Sequence, residues 1–497
     1  MSVAQPLSRL LAGLAEVPAH LDRMVSGVSS DSRRVQPGQL FLAIRGQRHH
    51  GLDFLPTVCA AGAAAVAWEP PFRSSPPEAP VPLLAVESLG ARLRLVGERY
   101  YDAPARQLQL VGITGTDGKT SCAHFLCQAL DDPGRRCGYL GTLGYGFPGE
   151  FVDTGLTTPD PLQIQAALAA LRDHGARLAA MEVSSHALDQ GRTEGLPFRV
   201  AVLTNLGRDH LDYHGSLEAY RAAKSRLFLD HGPAVAVLNG DDGLGRALLT
   251  RLAPERTVSY GLGPSRGRQR WLQGRIQALG PAGLDLRVGG SWGEGRLESP
   301  LLGEFNALNL LAVLATLLVL DLPLAEALAR LSRITPVAGR MERLEAPGRA
   351  LAVVDYAHTP EALRHALGAL RSHIRGRLWC VFGCGGERDA GKRPTMGAIA
   401  EAHADRVIVT NDNPRREIPE AIAEAILAGC RQPQRIPVIL DRAAAIATAL
   451  GEAAPEDVVL IAGKGHEDYQ LLGERRIPFS DRDTVRRVWG EAEHGAI

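Results

Sequence analysis

Apolar residues along this chain fall into short runs that stop at a glycine or a polar residue, with helix-length segments between them. In residues 1–105, GQLFLAI (38–44) reads as a strand, AAGAAAVAWE (60–69) as a helix end running into a strand, and VPLLAV (81–86) as another strand. The stretch PPFRSSPPEAPVP (70–82) reads as a loop, because each proline fixes φ and removes an N–H that a ladder would use. A helix over 88–101 leads to a linker, DAPARQ (102–107). In residues 106–338 the pattern becomes strand, glycine turn, helix, repeated. That order predicts a mostly parallel sheet with helices on both faces. Its strands include LQLVGIT (108–114), RLAAMEV (177–183), RVAVLTN (199–205) and AVAVLNG (234–240). Residues 256–302 differ, with short alternating segments rich in glycine and arginine that predict an antiparallel excursion, and NALNLLAVLATLLVL (306–320) returns to helix. Residues 339–497 carry a second α/β alternation, with strand-then-turn units at 350–356, 377–386, 406–412 and 458–465. Open α/β sheets bind ligands at the carboxyl ends of their strands. The fold class is therefore α/β, in three domains: 1–105, 106–338 and 339–497.

Length supports that division, since 497 residues exceed what one hydrophobic core serves. Lys plus Arg and Asp plus Glu number 55 each, so the formal net charge is zero, which argues against a general nucleic-acid binder and leaves room for small local phosphate sites. No apolar run reaches the roughly 20 residues that span a bilayer, and the first residues lack the cationic start and apolar core of a signal peptide. Seven cysteines without a CxxC pair fit reduced thiols in a cytoplasm. Cys380 and Cys384 read as small buried thiols rather than metal ligands.

The chemistry begins where strand 108–114 runs into GITGTDGKTS (112–121) and a helix follows. Glycines let backbone N–H groups turn toward phosphate oxygens, and a helix N-terminus favours an anion. Lys119 adds a positive charge, and Thr120 offers a hydroxyl to Mg²⁺. The common P-loop has glycine where Ile113 stands; here the glycines fall at 112, 115 and 118. TTPD (157–160), MEVSSHAL (181–188) and TNLGRDHLDYHG (204–215) cluster after the neighbouring strands. Glu182 and His210 there are candidates for a divalent metal beside Thr120. Taken alone, His210 reads as a structural or exposed histidine, Lys224 as a solvated helix residue, and Asn306 and Asn309 as helix caps.

GTDGKTS, TTPDP, MEVSSHAL, NLGRDHLDYHG, GEFNALN, GRMERL, DYAHTPEAL and GKGHEDYQ occur in that order. With them the chain, from about Ser30 to about Asp483, resembles the Mur ligase family, which builds the peptide of bacterial peptidoglycan precursors. The resemblance implies a small UDP-sugar-binding N-terminal domain, a central P-loop ATPase-like domain and a C-terminal Rossmann-like amino-acid-binding domain. It implies ATP contacts at Gly115, Thr116, Asp117, Gly118, Lys119, Thr120, Ser121, Asn306, Asn309, Arg340 and Asp355. Catalytic roles fall to Lys119, Glu182, His210 and Lys224. Thr120, Glu182 and His210 serve two Mg²⁺ sites with Lys224, whose amine takes up CO₂ to become N6-carboxylysine. The UDP-sugar dipeptide, UDP-MurNAc-L-Ala-D-Glu, is expected at Ser30, Ser32, Gln47, Arg48, His49, Thr157, Thr158, Ser184, Gln190 and Arg192. Leu156 stands where the family often has asparagine, so one contact differs there.

The amine substrate is implied by VTNDNPRREIP (409–419). Its Asp412, Asn413, Pro414 and Arg415 match the diaminopimelate-adding members. Meso-diaminopimelate carries a distal carboxylate that lysine lacks, and an arginine can bind it bidentately. Arg388, Gly463 and Glu467 complete the pocket, with Glu467 suited to an ammonium group. The resemblance thus implies an ATP-dependent, ADP-forming carboxylate–amine ligase, cytoplasmic and monomeric, acting on small molecules without nucleic-acid or membrane partners. Two rivals stand beside it: lysine addition or folylpolyglutamate-type synthesis, and a P-loop regulatory ATPase. A Rossmann dehydrogenase ranks last, because Gly383 to Gly386 lack the full G-x-G-x-x-G pattern.

Overall fold

The computed structural model of the protein describes residues 4–46, 49–73, 76–132, 134–264 and 270–490. Gln47 and Arg48 lie outside the described residues. The chain forms two compact units, one up to Ser259 and one from Tyr260 onward.

The first unit opens with a parallel sheet of β1 (Gly27–Ser29), β2 (Gln39–Ala43), β3 (Ala65–Trp68) and β4 (Leu83–Ala85), in that order. Helix α1 (Leu89–Tyr101) covers it, burying Leu93 and Val96 against Leu40, Leu42 and Ala65. The linker expected at 102–107 is instead partly helical: Pro104–Gln107 forms one turn, with proline at a helix start where its missing N–H costs nothing.

The larger sheet of this unit comprises β5 (Gln109–Thr114), β6 (Cys137–Gly141), β7 (Gly144–Phe147), β8 (Glu150–Val152), β9 (Leu178–Glu182), β10 (Phe198–Leu203) and β11 (Val235–Asn239). Its order is β8-β7-β6-β9-β5-β10-β11, and β6, β9, β5, β10 and β11 run parallel. Almost every residue of the central strands is buried, as sheets covered on both faces require. Helices α2 (Lys119–Ala129), α3 (Pro161–Asp173) and α4 (Leu217–Leu229) accompany it. Asp160 caps α3 by accepting from the N–H groups of Leu162 and Gln163.

In the second unit β12 (Arg270–Gly280), β13 (Gly283–Gly290) and β14 (Gly293–Ser299) form the expected antiparallel excursion. The buried helix α5 (Glu304–Val319) follows. A five-stranded sheet then takes the order β15 (Glu342–Leu344), β16 (Leu351–Asp355), β19 (Val458–Ala462), β17 (Leu378–Phe382), β18 (Arg406–Val409). All its pairings are parallel except that of β15 with β16. Helices α6 (Pro360–Arg371), α7 (Lys392–His403), α8 (Arg442–Glu452) and α9 (Asp481–Trp489) accompany this sheet. A hairpin of β20 (Tyr469–Leu472) and β21 (Arg475–Pro478) was not evident in the sequence. It lies against the turn that follows β18.

Candidate active site

The glycine loop that the sequence marks as a phosphate site joins β5 to α2. A methyl group on Gly115 would sit 1.8 Å from Thr204 Oγ1, so only glycine fits there. Gly118 has φ +81°, the left-handed region that a side chain resists, and hands the chain directly to α2. Lys119 curls back over the loop, donating to the carbonyls of Gly115 (2.9 Å) and Thr116 (2.8 Å). The segment after β10 clamps the loop from the side. Asn205 Oδ1 accepts from Asp117 N at 3.0 Å, the Asn205 carbonyl accepts from Thr116 N at 2.9 Å, and Thr204 Oγ1 donates to the Asp117 carbonyl at 2.6 Å. Thr116 Oγ1 lies 3.1 Å from the Tyr220 hydroxyl.

Glu182 ends β9, next to β5, and its side chain is buried. Thr120 Oγ1 donates to Glu182 Oε2 at 2.9 Å, and Thr142 donates to Oε1 through its N–H (2.9 Å) and to Oε2 through its hydroxyl (3.2 Å). The Tyr139 hydroxyl also donates to Oε1; burial and then the Glu182 charge push that phenol well above its ordinary value. Carboxylate and hydroxyl oxygens of this kind suit Mg²⁺, which keeps water and phosphate oxygens as its remaining ligands. Among the described residues no three His, Cys, Asp or Glu side chains converge to hold a metal by themselves.

Lys224 departs from its bland sequence reading. It is 1% exposed, donates to the Gly115 carbonyl at 2.7 Å and lies 4.6 Å from the centre of the Tyr220 ring. Burial, and secondly the Lys119 charge, hold its amine well below the ordinary lysine value. A neutral amine is the form that adds CO₂. His210 is nearly half exposed, with φ +52° and its Nε2 3.3 Å from Asp209 Oδ2. Its ring stacks edge-on to His186, with centroids 4.8 Å apart, and its described polar partner is Asp209 rather than Glu182.

Several residues expected to hold the UDP-sugar dipeptide gather next to Glu182. Thr158 Oγ1 donates to the Glu182 carbonyl (2.8 Å) and accepts from Ser184 N (3.1 Å), while Arg192 donates to the Thr158 carbonyl at 2.7 Å. Gln190 Oε1 accepts from Arg192 Nε at 2.9 Å, and Thr157 Oγ1 lies 3.1 Å from Thr142 Oγ1. Ser30 Oγ lies 3.4 Å from Asp160 Oδ2; Ser32 is half-buried and His49 exposed. Leu156 is exposed, an apolar side chain facing solvent.

In the second unit, the turn after β18 holds Asp412, Asn413, Pro414 and Arg415. Arg415 has φ +53°, and the hairpin fixes it there: its N–H donates to the Leu471 carbonyl (3.0 Å) and its carbonyl accepts from Gly473 N (2.7 Å). Its guanidinium reaches the Gly386 carbonyl at 2.7 Å. A methyl on Gly385 would lie 3.1 Å from Arg415 Nη1 and 3.6 Å from Arg388 Cγ, so both arginines border one glycine. The buried Asp412 carboxyl is raised above its usual range by desolvation, against the charges of Arg442 and Lys464. Gly463 leaves room for it, since a methyl there would meet Asp412 Oδ2 at 2.6 Å. Asn413 Nδ2 donates to Glu467 Oε2 at 2.9 Å. Near the turn after β19, Arg340 lies 5.0 Å from the centre of the Tyr356 ring. Asp355 accepts from the N–H groups of Met341 and Ala357, both at 2.8 Å, and burial raises its carboxyl. Asn306 and Asn309 lie inside α5 rather than at its cap: Asn306 donates to the Leu302 carbonyl (2.8 Å) and Asn309 to Asn306 Oδ1 (3.1 Å).

Sequence reasoning did not single out Tyr139 and Thr142, which hold Glu182, or Tyr220, which meets Thr116; Thr204, Asn205 and Lys464 lay within quoted motifs without being assigned a role. Tyr220 stands four residues before Lys224, one turn of the same helix face, which was the available signal.

A relative from Alkalilimnicola ehrlichii, a UDP-N-acetylmuramoyl-L-alanyl-D-glutamate–2,6-diaminopimelate ligase, is 51% identical over 482 residues, covering 95% of this chain and 96% of its own. The chain belongs to the Mur ligase family. The family's models match at 24–101 (Mur ligase family, catalytic domain), 113–317 (Mur ligase middle domain) and 339–465 (Mur ligase, glutamate ligase domain). A Pseudomonas aeruginosa ligase of the same name is 49% identical, covering 95% of this chain and 96% of its own. A solved structure of an enzyme so named covers all of both chains at 34% identity, with a TM-score of 0.72. As a Mur ligase the chain has the α/β architecture that its sequence pattern predicts.

Proposed function

We infer that this chain is an ATP-dependent, ADP-forming ligase that joins meso-diaminopimelate to the D-glutamate side-chain carboxylate of UDP-MurNAc-L-Ala-D-Glu. The observation that carries the choice of amine is the Asp412–Arg415 turn, where Arg415 and Arg388 flank Gly385 and Glu467 lies behind Asn413. An arginine suits a carboxylate and an acid suits an ammonium, the two groups at the distal end of meso-diaminopimelate, where lysine has only the ammonium.

A carboxylate resists amine attack because it is anionic and lacks a leaving group. Transfer of the ATP γ-phosphoryl group to it gives an acyl phosphate and ADP. The neutral amine then adds to the acyl carbon; the tetrahedral intermediate expels inorganic phosphate, and the nitrogen gives up a proton to leave an amide. Lys119 exchanges its loop carbonyls for phosphate oxygens, and the N-terminus of α2 adds its dipole. Glu182 and Thr120 would hold a Mg²⁺ ion that neutralises phosphate charge. We assign His210 to the same metal chemistry, and Lys224, as N6-carboxylysine, to a second Mg²⁺. The amine of Lys224 attacks CO₂, forming an N–C bond and releasing one proton. Asn306, Asn309, Arg340 and Asp355 are proposed as further nucleotide contacts. Ser30, Ser32, Gln47, Arg48, His49, Thr157, Thr158, Ser184, Gln190 and Arg192 are proposed for the UDP-sugar dipeptide. A monomer working in the cytoplasm accords with small-molecule substrates, and no described helix is long and apolar enough to cross a membrane.

An ADP-release assay with meso-diaminopimelate or lysine as the amine tests the reading. Turnover only with diaminopimelate supports it, equal turnover with lysine defeats the role of Arg415, and ATP hydrolysis independent of the UDP-dipeptide favours a regulatory ATPase.

A further inference from the structure

We propose that Lys464 is a positioning residue that aims the Glu467 carboxylate at the ammonium group of the incoming amino acid. The proposal rests on the amino-acid pocket described above. Lys464 follows β19 and is fully buried, whereas the Glu467 side chain keeps 18% of its surface exposed. Lys464 Nζ donates to Glu467 Oε2 at 2.9 Å and to Asn413 Oδ1 at 3.2 Å, and Asn413 Nδ2 donates to the same Oε2 at 2.9 Å. Three side chains therefore close a ring, and two donors converge on one carboxylate oxygen. Convergence fixes the rotation of the carboxylate and directs Oε1 away from both donors.

Neighbouring groups hold the ring still. Leu471 N donates to Asn413 Oδ1 at 2.9 Å, and the Tyr469 ring centre lies 5.4 Å from Nζ. The chemistry also calls for a lysine. Glu467 and Asp412 are acids close enough for the Glu467 charge to raise the Asp412 carboxyl, and Lys464 acts on Asp412 in the opposite sense. A compact ammonium with several donors can serve Asn413 and Glu467 together, where a planar guanidinium would demand more room. Buried charge pairs are weak stabilisers, and here one partner keeps some exposure, so stability alone is a poor reason for this one. Orientation of a pocket acid is a better one.

The test is steady-state ligation by the full-length wild type, K464M and K464Q, each carried out alone and in an E467Q background. In K464M the KM for meso-diaminopimelate should rise at least tenfold, while kcat and the KM values for ATP and UDP-MurNAc-L-Ala-D-Glu change less than threefold. In the E467Q background K464M should add less than twofold, because the carboxylate it aims is already gone. A purely structural lysine would depress kcat and raise all three KM values together. An unchanged KM in folded K464M, or full additivity with E467Q, overturns the proposal. Should K464M fail to fold, K464Q carries the same test, since it keeps an N–H donor and loses the charge; if neither folds, Lys464 is structural and the proposal is wrong. A wild type that forms no product from diaminopimelate overturns the pocket reading itself, whereas an active wild type with unaltered K464M overturns this proposal alone.

Discussion

Breaking the ion pair between Arg442 and Asp481 should destabilise the second unit more than almost any other single substitution. Both side chains are fully buried. Arg442 Nε and Nη2 donate to the two Asp481 oxygens at 2.7 and 2.8 Å, and its remaining donors reach the carbonyls of Asn411 (3.1 Å) and Ala462 (3.0 Å). These carbonyls lie where β18 and β19 give way to the turns carrying Asn413 and Lys464. D481N keeps the shape and removes the charge, leaving a guanidinium unpaired in the interior. Such a loss costs about 3–5 kcal/mol. At about 2–4 °C per kcal/mol for a unit of this size, the calorimetric transition of the second unit should fall by roughly 6–20 °C. R442M together with D481L should recover much of the loss, because an apolar pair leaves no stranded charge. A D481N variant that loses less than about 1 kcal/mol, or a double variant worse than both singles, would mean that the buried pair is not what holds these helices.

Replacing Arg415 with alanine should raise the KM for meso-diaminopimelate by roughly 10- to 100-fold, the worth of a charge-assisted hydrogen bond, and narrow its preference over lysine; an unchanged preference contradicts the assignment. His124 is held neutral by burial, with its pKa lowered from 6.5 to about 4. The unfolded chain therefore binds a proton that the fold refuses, and stability falls as pH drops from 6.5 towards 4, by up to ~3 kcal/mol. Urea unfolding of H124Q should show a flatter pH dependence across that window, and an unchanged slope would count against it. Gly115→Ala places its methyl group 1.8 Å from Thr204 Oγ1, so nucleotide binding measured by calorimetry should be lost. Retained affinity would show that the loop yields more easily than its packing suggests.

The parallel strands were legible because apolar runs ending at glycine are what a doubly covered sheet demands. The glycine loop after β5 was legible as a turn for a local reason, since close approach to Thr204 at Gly115 and a left-handed backbone at Gly118 restrict residue type. Residue type alone read Lys224 as solvated, although the sign of its burial lay in its helix. Tyr220, Ala223, Leu227 and Phe228 recur at helical spacing and are buried, and Lys224 occupies the same stripe. Periodicity was the better guide there than residue type. Arg442 and Asp481 stand 39 positions apart in two separate helices, so no local pattern pairs them. Tyr139 and Thr142 reach Glu182 only because β6 and β9 are neighbours in the sheet. The hairpin that pins Arg415 escaped notice because its strands are four residues each and largely exposed or half-exposed, without the alternation that marks a strand.

The proposed ligase joins meso-diaminopimelate to an activated glutamyl carboxylate. Mass spectrometry of the product from UDP-MurNAc-L-Ala-D-Glu, ATP and meso-diaminopimelate tests it most directly. A UDP-MurNAc-tripeptide should appear, with one ADP and one phosphate released per amide formed. Absence of that tripeptide from folded protein at saturating substrate would contradict it.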